Sequence, residues 1–492
     1  MIRKYRNLLS LAMMIVLTCV TQVFTLLKSS MVAGNFGTSM EMDAYNFANS
    51  IVSFIFGFVA AAISTVVIPS YVHKQHGKEV DSFITGVYGT IALIITLVII
   101  FRFQLVGVFS NKGEMYLNIA CNILLILMMT NFLYSLTNVT AAYFQCIEKY
   151  NIPKILNLVT QMFVVGALIV FHDINIIQYT YILSAGFLIN FVIDIIVAIK
   201  YGWRYKPSFL FKSEETKRLF KMFIPIILST GIYKLSLVID STIASRLETG
   251  QLSILSYSSQ IVNMVNSILI GNLLIYSYPK IVRRIKTGES QKLFWEQVSF
   301  FHLVVCLVIA GIATVGHEGI SLLFEHGHFN SAATDAVFAC LLIYISGQQF
   351  NVIRDLVYRY FYALGNTKVA ASNSVLVSVV NIVVSIILVN LLGLYGIIIG
   401  TVFATVVSFA RILMKFKKII GFEVSTRKLT FSLASNILIA LVSVAIVYLT
   451  KMLLPIDSVL LSLILFGVET LAVFLGLTFL LKRNILSIIK NL

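Results

Sequence analysis

The residues able to do chemistry in this chain are few, because ionisable side chains are almost absent from its long apolar stretches. Lys234 and Asp240 stand inside one such stretch, residues 219 to 247, and Arg354, Asp355, Tyr358 and Arg359 inside another, residues 332 to 364. Lys28 lies near the end of the first stretch, residues 8 to 33. A charge at the centre of a bilayer costs roughly 2.5–3.5 kcal/mol on insertion scales, so each such group needs a partner, a wet cavity or a route to the surface. The chemistry open to them is binding: a cation can hold an anionic headgroup, and a carboxylate a coupling ion. Covalent catalysis needs a nucleophile beside a base, and no such pair can be nominated. A glycine-rich phosphate loop is also missing, so ATP hydrolysis is not an intrinsic driving force.

Lys234 falls about fifteen residues into its stretch, ~22 Å along a helix, too deep to reach either headgroup layer easily. It therefore faces a cavity or closes an ion pair between helices. Asp240, six residues further on, points away from Lys234 in a straight helix, so its partner comes from elsewhere. It binds a coupling cation or caps a helix near the outer interface. Lys28 either snorkels to the surface or enters a cavity, with Gly34 and Gly37 letting the helix end bend inward. Asp355 and Arg359, spaced i, i+4, can neutralise each other, which leaves Arg354 as the unpaired cation for a headgroup, a cytoplasmic-side gate or a structural pair. The isolated carboxylates Asp194 and Glu469 read as packing or interface residues. His326 and His328 beside Glu325 lack further ligands and read as a solvated turn, not a metal site. Five scattered cysteines fit reduced packing residues better than a disulfide framework or zinc site.

The elements that position these groups follow from composition. Of 492 residues, 59% are hydrophobic, 12% are charged and six are proline. The longest polar connections, near 200 to 218 and 279 to 297, run only about twenty residues, which leaves no room for a water-soluble module. About fourteen apolar runs, the first at 8 to 33 and the last at 456 to 481, are long enough to cross a hydrocarbon core of ~30 Å. The fold class is all-α: a polytopic membrane protein with about fourteen transmembrane helices. The first run follows Arg3, Lys4 and Arg6 but is too long for a signal peptide and has no small-residue cleavage pattern, so it reads as a retained helix.

A net charge of +16 would suggest a nucleic-acid partner in a soluble protein. Here the basic residues, among them Lys74, Lys149, Lys200, Lys280, Arg283 and Lys417, fall in alternate short loops, and the remaining loops hold little beyond Lys112, Arg246 and Lys451. That asymmetry is a topology signal, not a nucleic-acid surface, and places both termini in the cytoplasm, with Lys482 and Arg483 after the last span.

The chain is also similar to itself at an offset of about 211 residues. VAGNFG (32–37) and DAYNFANSIVS (43–53) correspond to IASRLETG (243–250) and LSYSSQIVNMV (255–265), and residues 68–83 lie over residues 278–294. A repeat of six spans inserts both copies in the same direction. Two lobes, residues 1–200 and 201–418, are expected to face one another across a substrate cavity and rock to give alternating access, with residues 419–492 an added helix pair.

Four segments carry a resemblance: VAGNFGTSMEMDAYNFA (32–48), ASRLETGQLSILSY (244–257), LFEHGHF (323–329) and RYFYALGNTK (359–368). Through them the chain resembles the multidrug/oligosaccharidyl-lipid/polysaccharide exporter superfamily, closest to its MurJ (MviN) branch. The resemblance implies export of an undecaprenyl-pyrophosphate-linked glycan, lipid II in that branch, across the bacterial plasma membrane. Relatives place cavity arginines at positions matching Gln22, Lys28, Phe56 and Gln260, of which only Lys28 keeps a positive charge. The acidic residue of the first outside loop is retained as Asp43. Lys28, Lys234, Arg354 and Gln260 are thus the expected headgroup contacts, and Asp43, Asp240, Asp355 and Arg359 the expected gating or coupling residues. The last two spans would line a groove for the isoprenoid tail. No cofactor is implied; the driving force is an unidentified coupling ion or the membrane potential. Expected partners are the lipid-linked glycan, membrane lipids and cell-wall synthesis proteins, with the chain a monomer. A cation-coupled exporter of amphipathic compounds would need a more acidic cavity, and a glycan polymerase would need larger, charged outside loops.

Overall fold

The computed structural model describes residues 2–67, 77–271, 281–285 and 291–481. Lys74, Lys280, Lys482, Arg483 and much of the paired segments 68–83 and 278–294 lie outside the described residues. Packing divides the chain into two units, Met1–Ser253 and Ile254–Leu492.

The first unit contains α1 (Ile2–Phe36), α2 (Met40–Ala62, continued by a π-helical turn Ile63–Val67), α3 (Lys78–Ile100), α4 (Arg102–Ser110), α5 (Glu114–Tyr134), α6 (Thr137–Cys146), α7 (Asn151–Val170), α8 (Ile176–Lys200) and α9 (Glu214–Ser245). α10 (Gln251–Val265, continued by a π-helical turn Asn266–Ile270) contains the boundary. The second unit continues with α11 (Gln291–Phe324), α12 (Ser331–Ser346), α13 (Gln348–Ala363), α14 (Thr367–Leu392), α15 (Leu394–Ile419), α16 (Thr426–Leu453) and α17 (Val459–Leu480). α9 opens the second sequence repeat yet packs along α2 and α3. The packing division and the sequence repeat therefore cut the chain at different places.

Every expected span is mostly helical over its described residues, and eleven helices among the described residues are long and apolar enough to cross a membrane. α2, α9 and α10, which carry Asp43, Lys234, Asp240 and Gln260, are not among those eleven. Three apolar runs that hydropathy reads as single spans are broken: residues 83–108 at Phe101, residues 116–146 at Ser135 and Leu136, and residues 332–364 at Gly347. Hydropathy alone runs through such breaks, because a short backbone deviation leaves the apolar composition intact.

Large apolar side chains such as Leu93, Leu391, Phe431 and Phe479 point outward, while Thr160, Thr180, Ser385 and Thr470 are buried. That inversion suits a hydrocarbon solvent, where apolar burial drives nothing and small polar residues let helices approach. Several of the buried hydroxyls are satisfied within their own helix, as Thr160 donates to the Leu156 carbonyl and Thr470 to that of Phe466. α14 and α15 come so close that a Cβ on Gly396 would lie 2.4 Å from the Leu388 carbonyl oxygen. Where the chain leaves the apolar stretches, helix ends are capped by ordinary means: Asn175 and Gln178 form a reciprocal capping box at the start of α8. At the start of α9, a hydrogen bond from Lys217, with its charge, holds the Glu214 carboxyl below the usual carboxylate range.

Candidate functional site

In the first unit, Asp43 sits in the first turn of α2, whose start is capped by the Ser39 hydroxyl. The resemblance placed it in a loop; the structure corrects this, because Ser39 starts the helix four residues earlier. The Asp43 side chain is buried, and its carboxylate accepts hydrogen bonds from the Gly250 amide (2.7 Å), the Ser253 amide (2.8 Å) and the Ser253 hydroxyl (2.7 Å). A carboxylate at these amides satisfies orphan donors at the start of α10 and complements the positive end of its dipole. Asn46, one turn further along α2, reaches the Ser253 hydroxyl at 3.4 Å.

The same end of the unit is tied at two further points. Lys112 donates to the Leu247 carbonyl at 2.7 Å, and Arg246 donates to the carbonyls of Phe109 and Val108 at 3.0 and 2.7 Å. Gly250 has φ +92°, and a Cβ there would lie 2.7 Å from the Thr38 carbonyl oxygen. Only glycine permits both the left-handed backbone and the close approach. Gly250→Ala is expected to weaken this latch by about 1–3 kcal/mol, read as a lower thermal midpoint of the purified protein; an unchanged midpoint would refute the packing described.

Lys234 lies on α9 with its aliphatic stem against α2: a Cβ on Gly57 would meet Lys234 Cε at 3.0 Å and Cδ at 3.3 Å. Gly57 follows Phe56, one of the four positions the resemblance matches to arginines, so Lys234 brings a charge beside that position from a neighbouring helix. Lys28 is half-buried on α1, which stays helical through Gly34 and ends at Gly37 with φ +55°. Neither lysine meets a carboxylate among the described residues. Asp240 is buried on α9.

In the second unit the expected i, i+4 neutralisation is replaced by a different pair. Asp355 Oδ1 accepts from Arg354 Nε at 2.9 Å and lies 2.8 Å from Arg354 Nη2. Arg354 is therefore not the unpaired cation expected from spacing; adjacent side chains met because the long guanidinium folds back over its neighbour. Its guanidinium also lies 5.7 Å from the Tyr358 ring centre. Arg359 occupies the same helix, α13, and Gln260 is half-buried on α10.

A second ion pair escaped the sequence reading. Lys451 at the end of α16 donates to Glu318 of α11 at 2.5 Å and to the Thr314 carbonyl, while the Ser462 hydroxyl of α17 donates to the same Glu318 oxygen at 3.1 Å. By hydropathy this span covers residues 298–316 and leaves Glu318 in a connection; α11 continues to Phe324. Lys451, expected in an outside loop, belongs to the last turn of a helix. Nearby, Thr450 donates to Glu469, the isolated carboxylate of the last span, at 2.8 Å.

Among the described residues, long apolar helices that carry a few buried or half-buried charges have the build of a polytopic membrane transporter. The sequence matches the family described as "Lipid II flippase MurJ" over residues 32–467, and the chain belongs to that family. It is 23% identical over 405 residues to a probable lipid II flippase MurJ of Rickettsia prowazekii, covering 78% of this chain and 79% of that protein. It is 22% identical over 431 residues to the counterpart in Thermotoga maritima, covering 81% and 83%. Among solved structures, a lipid II flippase MurJ in an inward closed conformation superposes with a TM-score of 0.82 at 21% identity, over 96% of this chain and 99% of that one. An inward-facing multidrug transporter of the MATE family, in the MOP superfamily, matches with a TM-score of 0.67 at 13% identity, over 82% and 96%.

Proposed function

We propose that this protein translocates lipid II, or a closely related undecaprenyl-pyrophosphate-linked precursor, from the cytoplasmic to the outer leaflet of the plasma membrane by alternating access. The observation that carries the reading is the pair of lysines, Lys28 and Lys234, set in apolar helices of the first unit without a carboxylate among the described residues. Such cations favour an anionic ligand, and a pyrophosphate supplies several acceptor oxygens for charge-assisted hydrogen bonds. An exporter of organic cations, the activity suggested by the MATE-type fold, is disfavoured by the same charges. The basic bias of alternate loops supports cytoplasmic termini. The cycle draws on the membrane potential or an ion gradient, since one charge crossing 100 mV is worth about 2.3 kcal/mol. The chain works as a monomer beside the enzymes that consume its product.

The test is translocation of labelled lipid II by the reconstituted protein, scored by leaflet. Lys28→Met and Lys234→Met keep the stems and remove the charges; each is expected to lower the rate roughly ten- to a hundredfold, the worth of one charged hydrogen bond at ~1.5–3 kcal/mol. Normal rates in the doubly substituted protein would sink the cationic headgroup site. Failure of the unmodified protein to move lipid II while moving another polyprenyl-linked glycan would reassign the substrate.

A further inference from the structure

Asp194 lies on α8, six residues or about 9 Å from its C-terminal end, and is 2% exposed. Its carboxyl Oδ2 is hydrogen-bonded to the hydroxyl of Thr140 on α6, a fully buried residue. No described Lys, Arg or His forms an ion pair with it. One turn earlier, Asn190 donates to Thr160 on α7 at 2.7 Å, and that hydroxyl donates to Leu156, so this neighbouring polar pair is satisfied without Asp194.

The Thr140 hydroxyl meets a second oxygen besides that of Asp194. Its hydroxyl oxygen also lies 3.0 Å from the Thr137 carbonyl oxygen, in donor geometry. A threonine hydroxyl has one proton, and a carbonyl has none to give. An ionised Asp194 would leave two acceptors competing for that proton. A protonated Asp194 resolves the arrangement: the acid O–H donates to Thr140, and Thr140 donates to Thr137. An unpaired carboxylate buried at this depth is also the costlier form, and a carboxyl escapes that by taking a proton.

We propose that Asp194 is a proton-binding site of the first unit, held in this conformation as a neutral carboxylic acid that donates to Thr140. The ligand is a single proton taken from water by the carboxylate oxygen Oδ2, with no other bond made or broken. The titratable groups on the elements packed against α8 are Glu114, Tyr116, Cys121 and Tyr134 of α5, Tyr143 and Cys146 of α6, Lys154 of α7, and Glu41, Asp43 and Tyr45 of α2. α8 itself adds Tyr179, Tyr181 and Lys200. The site thus belongs to a polar seam inside one unit and is independent of the headgroup lysines.

Infrared difference spectroscopy of the membrane-reconstituted protein tests this without any transport readout, so its failure and that of the flippase reading are separable. At pH 7 the unmodified protein should show the carbonyl stretch of a protonated carboxyl that Asp194→Asn removes. Thr140→Val should retain that band but move it to higher frequency, because the acid loses its acceptor; this variant also serves if Asp194→Asn fails to fold. Carboxylate bands alone in the difference spectrum, or a carboxyl band unmoved by Thr140→Val, would overturn the proposal.

Discussion

Asp43→Ala is expected to reduce lipid II translocation at least a hundredfold and to release the start of α10. Three donors converge on this carboxylate, all within 2.8 Å, and two are backbone amides at the start of α10. A hydrogen bond to a charged group contributes about 1.5–3 kcal/mol, and a buried donor left without an acceptor adds its own desolvation cost. We propose that these contacts are made in one closed state of the cycle and broken in another, so that losing the group shifts the balance between them by several kcal/mol; about 5.5 kcal/mol suffices to turn a 99:1 preference into its inverse. A transporter that cannot hold one closed state loses its cycle even with an intact headgroup site. Hydrogen exchange provides the direct measurement: the amides of Gly250 and Ser253 should exchange roughly ten- to a hundredfold faster, matching one lost charged bond each. Asp43→Asn retains an acceptor oxygen and should fall between. Unaltered exchange at these two amides in Asp43→Ala would show that the carboxylate does not hold them.

Lys451→Ala should produce the largest loss of stability, about 3–5 kcal/mol, because it strands a buried anion. The side chains of Lys451 and Glu318 are 19% and 17% exposed, so water offers little replacement for the lost partner. Glu318 Oε2 is already buried without a hydrogen-bond partner, so all compensation for the charge comes through Oε1, from Lys451 and Ser462. Glu318→Gln combined with Lys451→Met should recover most of the loss, since exchanging a buried pair for neutral groups is often neutral. Thermal unfolding in one detergent compares these two variants with the unmodified protein. If Lys451→Ala and the double variant unfold together, the lysine acts through packing and not through charge. The pair joins α11 to α16 and, through Ser462, to α17, so its loss should loosen the terminal helix pair first.

Helix positions were legible because twenty apolar residues in succession have one common solution in a bilayer. The charged residues were legible as anomalies for the same reason. Their partners were not. Spacing along α13 favoured Asp355 with Arg359, but side-chain reach joined Asp355 to Arg354. Glu318 lies where hydropathy falls off a turn or two before α11 ends, so its ion pair sits in what reads as a loop. Asp43 was found only by resemblance. The local pattern Thr-Gly-Gln-Leu-Ser at 249–253 marks a helix start, yet nothing in it says that the capping anion comes from about 210 residues earlier. Lys234 was recognised as deep, while its seat against Gly57 depended on a glycine whose use only packing reveals.

The π-helical turns at Ile63–Val67 and Asn266–Ile270 affect how this chain can be compared with others. Each accommodates an extra residue where it continues α2 or α10, so by the end of the turn the side chains are displaced by about 100° from uninterrupted 3.6-residue periodicity. A gap-free alignment against a relative lacking the turn would keep the residue types plausible while displacing positions at the turn by about 100° around the helix. Deleting one residue within either turn should restore phase, which makes single-residue gaps at these two places, rather than in the loops, the ones that carry structural meaning.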